Sequence, residues 1–565
     1  MAKRLVIILF LLPSVALQCL SQNSDKDKLL RSEVNQYGQA RVNIPFPGIR
    51  EVNALSGNVS VSSVRKNSVE IVLSPLTVEW FISQKYNYVI LERPDIKGIM
   101  TSSGVKQAME WDSYPTYSQY DSIMQNFATL YPSLCHLDTI GKTNYNKYVL
   151  VLKISDNPNI DEAEPEVFYS STIHGDETGG FILMLRLADY LLKNYGTISR
   201  VTNLVDNLEI WINPLANPDG TYRIGNTISS PTRYNANGYD LNRNFPDPET
   251  PNTIKQKETI DMMKFMRAHH FVISANFHAG DEVVNYPWDR WYRLHADNDW
   301  FYYISRKYAD TVHLYSPSTY MDEFDNGVTN GYDWYKINGG RQDFMTWELQ
   351  GREVTIELDY NFETPVANLN SLWQYNWRSL LGYIENAMYG VHGLVKDSVT
   401  GDPVPAKIFI TGHDKDSSQV YSDTLTGNFV RLLSAGTWDL EFSSKGYYNK
   451  TVNVVVTDGQ KTEIIVEMVP ILNPIDTVTT TTLLLYPNPA EEYIKAVLPD
   501  RQIGKVNVSI YNSIGLKLAD YSVTTTEDTP LLINVKGLTS GIYSLVITNS
   551  ATNVTDKSQF VVVYR

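Results

Sequence analysis

The sequence predicts an α/β core set between a small N-terminal α/β domain and two C-terminal β-sandwich domains. Three patterns carry that expectation. Between residues 112 and 390, apolar runs of strand length alternate with segments of helical period. From 391 onward the helical period is lost, and short alternating strands follow turn signals at close spacing. Between 22 and 111, short β-rich runs surround one helical segment. A chain of 565 residues is long enough for several separate cores.

At the N-terminus, Lys3 and Arg4 precede an apolar run over 5–12, a charged region and a short apolar core. This predicts a signal peptide over 1–21, cleaved before Gln22. The run is too short to span a bilayer, and no other segment is a transmembrane candidate. Next, 40–44 and 68–73 read as strands and 78–86 as a helix, giving an accessory or pro-domain over 22–111.

In the core, 166–173 reads as a buried strand running into His174, and 180–195 as an apolar helix ended by Gly196. A second strand, 271–277, ends at His278. Residues at the carboxyl ends of strands in an alternating α/β chain sit where such sheets carry their sites. His174 and Glu177 are close enough for one strand-to-helix junction to present both. With His278 they offer two imidazoles and a carboxylate, the ligand set of a zinc ion whose fourth position stays open. Between these ligands lies a polar cluster, opened by the turn Asn217-Pro218-Asp219-Gly220 and holding Arg233, Asp240, Asn242 and Arg243. Two arginines and an amide beside a metal point to recognition of a carboxylate, which the guanidinium fork suits.

On these residues the sequence resembles the M14 family of zinc carboxypeptidases, over roughly residues 113–390. The resemblance implies a mixed central sheet flanked by helices over 112–390. It implies that His174, Glu177 and His278 hold one Zn2+ ion, with Asp240 orienting the first histidine. Asn242 and Arg243 fall on the pair that binds the substrate's terminal carboxylate. Arg233 falls on the arginine that polarises the scissile carbonyl, and Tyr335 on the tyrosine that closes over the substrate. Glu357, in the apolar strand 354–358, falls on the general base. The implied reaction is hydrolysis of the C-terminal peptide bond of peptides and proteins. Asp289 and Gln342 resemble the positions by which the N/E subgroup reads a terminal arginine or lysine; a buried carboxylate there selects a basic side chain. Two departures stand out. Arg341 occupies a position usually uncharged in the subgroup, and Ala279-Gly280-Asp281-Glu282 replaces a glycine pair and its apolar follow-on.

Residues 391–470 resemble the transthyretin-like β-sandwich that follows the catalytic domain in this subgroup. A threonine-rich linker spans 471–484. Residues 485–565, with Tyr486-Pro487-Asn488-Pro489 and Gly541-Ile542-Tyr543, resemble the C-terminal sorting domain of the type IX secretion system. With the leader, that resemblance implies a protein secreted by, or on the surface of, a Gram-negative, Bacteroidetes-like cell, with the type IX machinery as partner. A monomer is expected. Net charge of −15 argues against a nucleic-acid partner. Cys19 and Cys135 are the only cysteines, so no disulfide framework is expected. Two other classes compete with a peptidase. A metal-dependent hydrolase of small amides or esters has no need of Asn242, Arg243 and Tyr335, and a non-catalytic scaffold would have shed a ligand or Glu357.

Overall fold

The computed structural model describes every residue except 1–11, 94–98, 250–253, 472–481, 527–528 and 564–565. The first half of the expected signal peptide and most of the expected linker therefore lie outside the described residues. Residues 1–470 form one compact unit and 471–565 a second.

The first described element is a helix, Leu12–Tyr37, which the sequence analysis did not anticipate and which runs through the expected cleavage point. Its Leu30 and Val34, one helical turn apart, are buried against the N-terminal sheet. That sheet is antiparallel, with β1 (Ala40–Pro45), β2 (Ser60–Val64), β3 (Ser68–Leu73) and β4 (Val89–Ile90) in the order β2-β3-β1-β4. Strand β2 is an edge strand, and a bulge between Val61 and Ser63 bends it. The helix expected near 78–86 is present as Val78–Ser83.

The core is built on an eight-stranded sheet of β5 (Cys135–Lys142), β6 (Tyr148–Ile154), β7 (Glu166–Ser171), β8 (Glu209–Asn213), β9 (Phe271–His278), β10 (Asp281–Tyr286), β11 (Val328–Asn330) and β12 (Arg352–Asp359). Its order among the described residues is β11-β10-β12-β9-β7-β8-β6-β5. The centre is parallel (β8, β7, β9, β12), whereas β6 and β10 join it antiparallel, so the sheet is mixed. Strand β7 is buried at every residue because both faces are covered. Val167 and Tyr169 pack under helices Gly179–Asn194 and Val366–Glu385, while Phe168 packs on the other face with helices Lys257–Arg267 and Arg341–Glu348. The parallel register sets Glu357 beside His278 and Ser171 beside Phe277. Three strand ends thus meet on one edge of the sheet, and the site is built there.

Residues 390–468 follow as two small sheets of three and four strands around Val391, Ile408, Phe429, Leu440, Phe442 and Val466. The second unit repeats that plan around Ile494, Val508, Leu545 and Phe560. Where the 390–468 sheets meet the core, Asp297 is buried among two arginines and a histidine. It accepts from Arg352 Nη2 at 2.6 Å, from Arg431 Nη1 at 2.7 Å and faces His413 Nε2 at 2.8 Å. Burial opposes its charge, but Arg431 and then Arg352 hold the carboxyl well below the usual carboxylate range. Asp297→Ala removes the carboxylate paired with the buried Arg352 and leaves Arg431 with Asp414 alone, and we expect it to lower stability by about 3–5 kcal/mol, read from denaturant unfolding of the full chain.

Candidate metal centre

The chain leaves β7 through Thr172, whose φ is +61°, and turns sharply before His174. Gly175 makes the turn possible. A Cβ there would lie 2.4 Å from the carbonyl carbon of Gly220, so only glycine permits this approach of two backbones. The turn brings His174 Nδ1 to 2.7 Å from Glu177 Oε1. From the end of β9, His278 Nδ1 reaches Glu177 Oε2 at 2.8 Å and His174 Nδ1 at 3.1 Å. All three side chains are almost fully buried. Two ring nitrogens and both oxygens of one carboxylate thus converge within hydrogen-bond distance of one another. A divalent cation satisfies all three donors, and the set fits zinc.

The groups behind these donors fix their orientation. His174 Nε2 lies 3.0 Å from Asp240 Oδ1, so its proton faces Asp240 and the Nδ1 lone pair faces the centre. Asp240 also accepts from the backbone N–H of Asn242 at 2.9 Å, capping the short turn Leu241–Arg243 that carries the next functional pair. Arg233 donates from Nε to Asp240 at 2.9 Å and from Nη1 to Glu177 at 3.2 Å. Despite burial, Arg233 and then His174 keep the Asp240 carboxyl far below its ordinary range. Burial pushes His278 down to about 4, which keeps its imidazole neutral. Asn276, two residues earlier on β9 and so on the same face, sets its amide 2.7 Å from His278 Nε2.

Beside this cluster Arg243 and Tyr335 converge on one oxygen. The Tyr335 hydroxyl donates to the Val61 carbonyl at 3.0 Å and Arg243 Nη2 at 3.5 Å. Asn242 accepts from the Arg341 N–H at 2.9 Å, with its amide nitrogen 3.5 Å from His278 Nε2. Farther in, Asp289 is 3% exposed and accepts from Asn285 at 3.0 Å and from Gln342 at 3.1 Å. Burial lifts its carboxyl to about 6. The wall facing it is Gly331, where a Cβ would stand 1.9 Å from Asp289 Oδ1. Arg341 does not pair with Asp289, because its guanidinium pairs with Glu353 at 3.0 Å and with Asn276 at 3.3 Å. Glu357 faces the cluster from β12; its Oε2 has no hydrogen-bond partner among the described residues. Burial, then the charges of Glu177 and Asp281, raise its carboxyl well above the ordinary range.

Of the eleven residues singled out in the sequence, His174, Glu177, His278, Arg233, Asp240 and Asn242 are joined by direct contacts, Arg243 and Tyr335 meet at Val61, Asp289 and Gln342 meet each other, and Glu357 stands beside His278 on β12. The sequence analysis missed Asn276, which the two-residue strand period before His278 could have flagged. It also missed contacts from the N-terminal domain. Gln39 Oε1 accepts from the Arg233 N–H at 2.8 Å, Ser60 donates to Asp240 at 2.7 Å, and Val61 supplies the carbonyl already described. No local signal marks these residues.

Comparison with known proteins places this geometry in a family. Residues 120–379 match the zinc carboxypeptidase model, and residues 484–562 match that of a secretion system C-terminal sorting domain. Carboxypeptidase D of Mus musculus is 36% identical over 359 residues, 60% of this chain and 26% of that protein. Carboxypeptidase M of Mus musculus is 33% identical over 58% of this chain and 77% of its own length. The carboxypeptidase N catalytic chain of Rattus norvegicus is 31% identical over 60% of this chain and 83% of its own. Among solved structures, the carboxypeptidase A from Helicoverpa armigera aligns with a TM-score of 0.49 at 18% identity, over 62% of this chain and 97% of that one. The chain belongs to the zinc carboxypeptidase family. It spans about a quarter of the length of the carboxypeptidase D proteins it matches. No helix among the described residues is long and apolar enough to cross a membrane.

If Asp240 orients His174, Asp240→Asn weakens metal binding roughly 10–100-fold, measured by competition with a chromogenic chelator.

Proposed function

We propose that the chain is a secreted zinc metallocarboxypeptidase that releases arginine or lysine from the C-termini of peptides and proteins. The observation that carries this reading is the pair of donors, Arg243 and Tyr335, aimed at a single oxygen beside the His174–Glu177–His278 cluster. A terminal carboxylate presents such an oxygen with a full charge, and an internal peptide bond does not. The Val61 carbonyl is a neutral stand-in for it.

In this reading one zinc ion, held by His174, Glu177 and His278, supplies Lewis acidity and lowers the pKa of water toward ~7. Arg243, Tyr335 and Asn242 hold the substrate's carboxylate and so set which bond lies at the centre. Glu357 takes the proton of the attacking water and returns it to the leaving amine. Its raised carboxyl suits the second task, and the cations that gather when the site fills favour the first. Arg233 stabilises the oxyanion of the tetrahedral intermediate. Asp289, supported by Gln342 and Asn285, pairs with a basic terminal side chain; the ion pair of Arg341 with Glu353 leaves it free to do so.

The remaining parts take roles consistent with their contacts. The domain over 22–111 acts as a pro-domain, since Val61 occupies the donors that the substrate's carboxylate needs. The transthyretin-like region over 391–470 acts as a structural partner of the catalytic domain. The sorting domain at 485–565, behind the linker and after removal of the 1–21 leader, directs export through the type IX machinery to the surface of, or the medium around, a Bacteroidetes-like cell.

N-blocked dipeptides ending in Arg, Lys, Phe or Glu test the reading, using the full chain before and after limited proteolysis that separates 22–111. Release of Arg and Lys should appear after proteolysis and stop with a chelator. Glu357→Gln should lower kcat about 10²–10⁴-fold. Preference for Phe would keep the reaction and remove Asp289 from its role. Since Asp289 binds a cation only when ionised, KM for Arg substrates should rise as pH falls below about 6, while KM for Phe substrates should not. In Asp289→Asn that difference should vanish.

A further inference from the structure

The hairpin between β2 and β3 ends in Arg65, which enters a notch beside the metal centre. Its guanidinium pairs with Asp281 at 3.2 Å and with Glu323, and lies 5.2 Å from the centre of the Tyr360 ring. The Asp281 side chain is fully buried, whereas that of Arg65 is one-third exposed. Among the described residues, Arg65 is the only cation paired with either carboxylate. Strand alternation puts Asp281 and Val283 on one face of β10, and Val283 pairs with Glu357, so the notch opens on the same face as Glu357.

Resting on the carboxypeptidase reading, we propose that Asp281, Glu323 and Tyr360 form a subsite for a basic side chain of the substrate, upstream of its terminal residue, and that Arg65 is the chain's own occupant of it. A buried carboxylate facing Glu357 is costly without a counter-charge. Once the N-terminal domain leaves, a substrate cation restores what Arg65 supplied. Val61 and Arg65 are four residues apart on one extended segment, at most about 13 Å. That segment therefore touches the carboxylate donors with one end and the notch with the other. A peptide whose C-terminus sits on Arg243 and Tyr335 crosses the same ground within a few residues. The enzyme so read takes peptides that carry basic residues both at the terminus and just before it.

The test uses the full chain carrying Arg65→Ala, with Arg65→Gln as a second variant should the first fold poorly. N-acetyl-arginine amide, which has no free carboxylate for Arg243 and Tyr335, is titrated by calorimetry into this chain and into Arg65→Ala/Asp281→Asn. Saturable binding to the first, weakened roughly tenfold or more in the second, supports the subsite. Equal binding to both, or none to folded protein, overturns it. After proteolytic separation of 22–111, peptides ending in the same lysine and carrying Arg or Gln second, third or fourth from the end are compared. Arg at one of these positions should raise kcat/KM about tenfold, and Asp281→Asn should bring that ratio near one. A ratio of one in the wild-type chain overturns the substrate role. No release from any peptide overturns the carboxypeptidase reading, and the calorimetry still decides whether the notch binds a guanidinium.

Discussion

Two imidazole nitrogens 3.1 Å apart, each against one oxygen of the same buried carboxylate, form an arrangement that converges on a single point. Most of the surrounding architecture follows from holding it. The parallel pairing of β7, β9 and β12 brings one ligand loop, one ligand histidine and Glu357 to a common edge. Gly175 lets the ligand loop press against Gly220, and Asp240 fixes one imidazole while capping the turn that carries Asn242 and Arg243. A change in any of these moves several functional groups together, because each is tied to the next by a buried hydrogen bond or ion pair.

Charge is distributed around that centre in separate, locally paired sets. Arg233 answers Asp240 and Glu177; Arg341 answers Glu353; Arg431 and Arg352 answer Asp297. The pairing of Arg341 with Glu353 keeps its charge off Asp289, although Arg341 stands next to Gln342 in the chain. The N-terminal domain extends the same logic to the open side of the cleft, where Ser60 meets Asp240, Val61 meets Arg243 and Tyr335, and Arg65 meets Asp281 and Glu323. The register of β2 shifts between Val61 and Ser63, at the point where this edge strand meets these donors. The N-terminal domain, whose apolar core is shared with Val283, Trp334, Tyr335 and Ile337, thereby also makes polar contact with several of the groups that the proposed reaction uses.

Much of the site was legible in the sequence because its elements are locally encoded. The buried runs before His174 and His278 and the apolar strand around Glu357 announce themselves by composition and length, and the structure places them as β7, β9 and β12. Asp289 and Gln342 were readable only through family resemblance, since nothing in their neighbours marks a pocket. The helix Leu12–Tyr37 was missed because its first part reads as the end of a leader and, among the described side chains of the rest, only Leu30 and Val34 are buried. Asn276 was missed although its spacing from His278 was available.

The sequence by itself pointed to the candidate group His174, Glu177 and His278, and determined the α/β order of the core, the change to β-structure after it and the family to which the chain belongs. These follow from residue type and short-range period, which any part of the chain expresses locally. Only the tertiary structure decided that Arg341 turns to Glu353, that Asp281 and Glu323 face one guanidinium, and that the β2–β3 hairpin lies over Arg243 and Tyr335. Those contacts join residues tens to hundreds of positions apart, and their geometry exists only once two sheets have packed together.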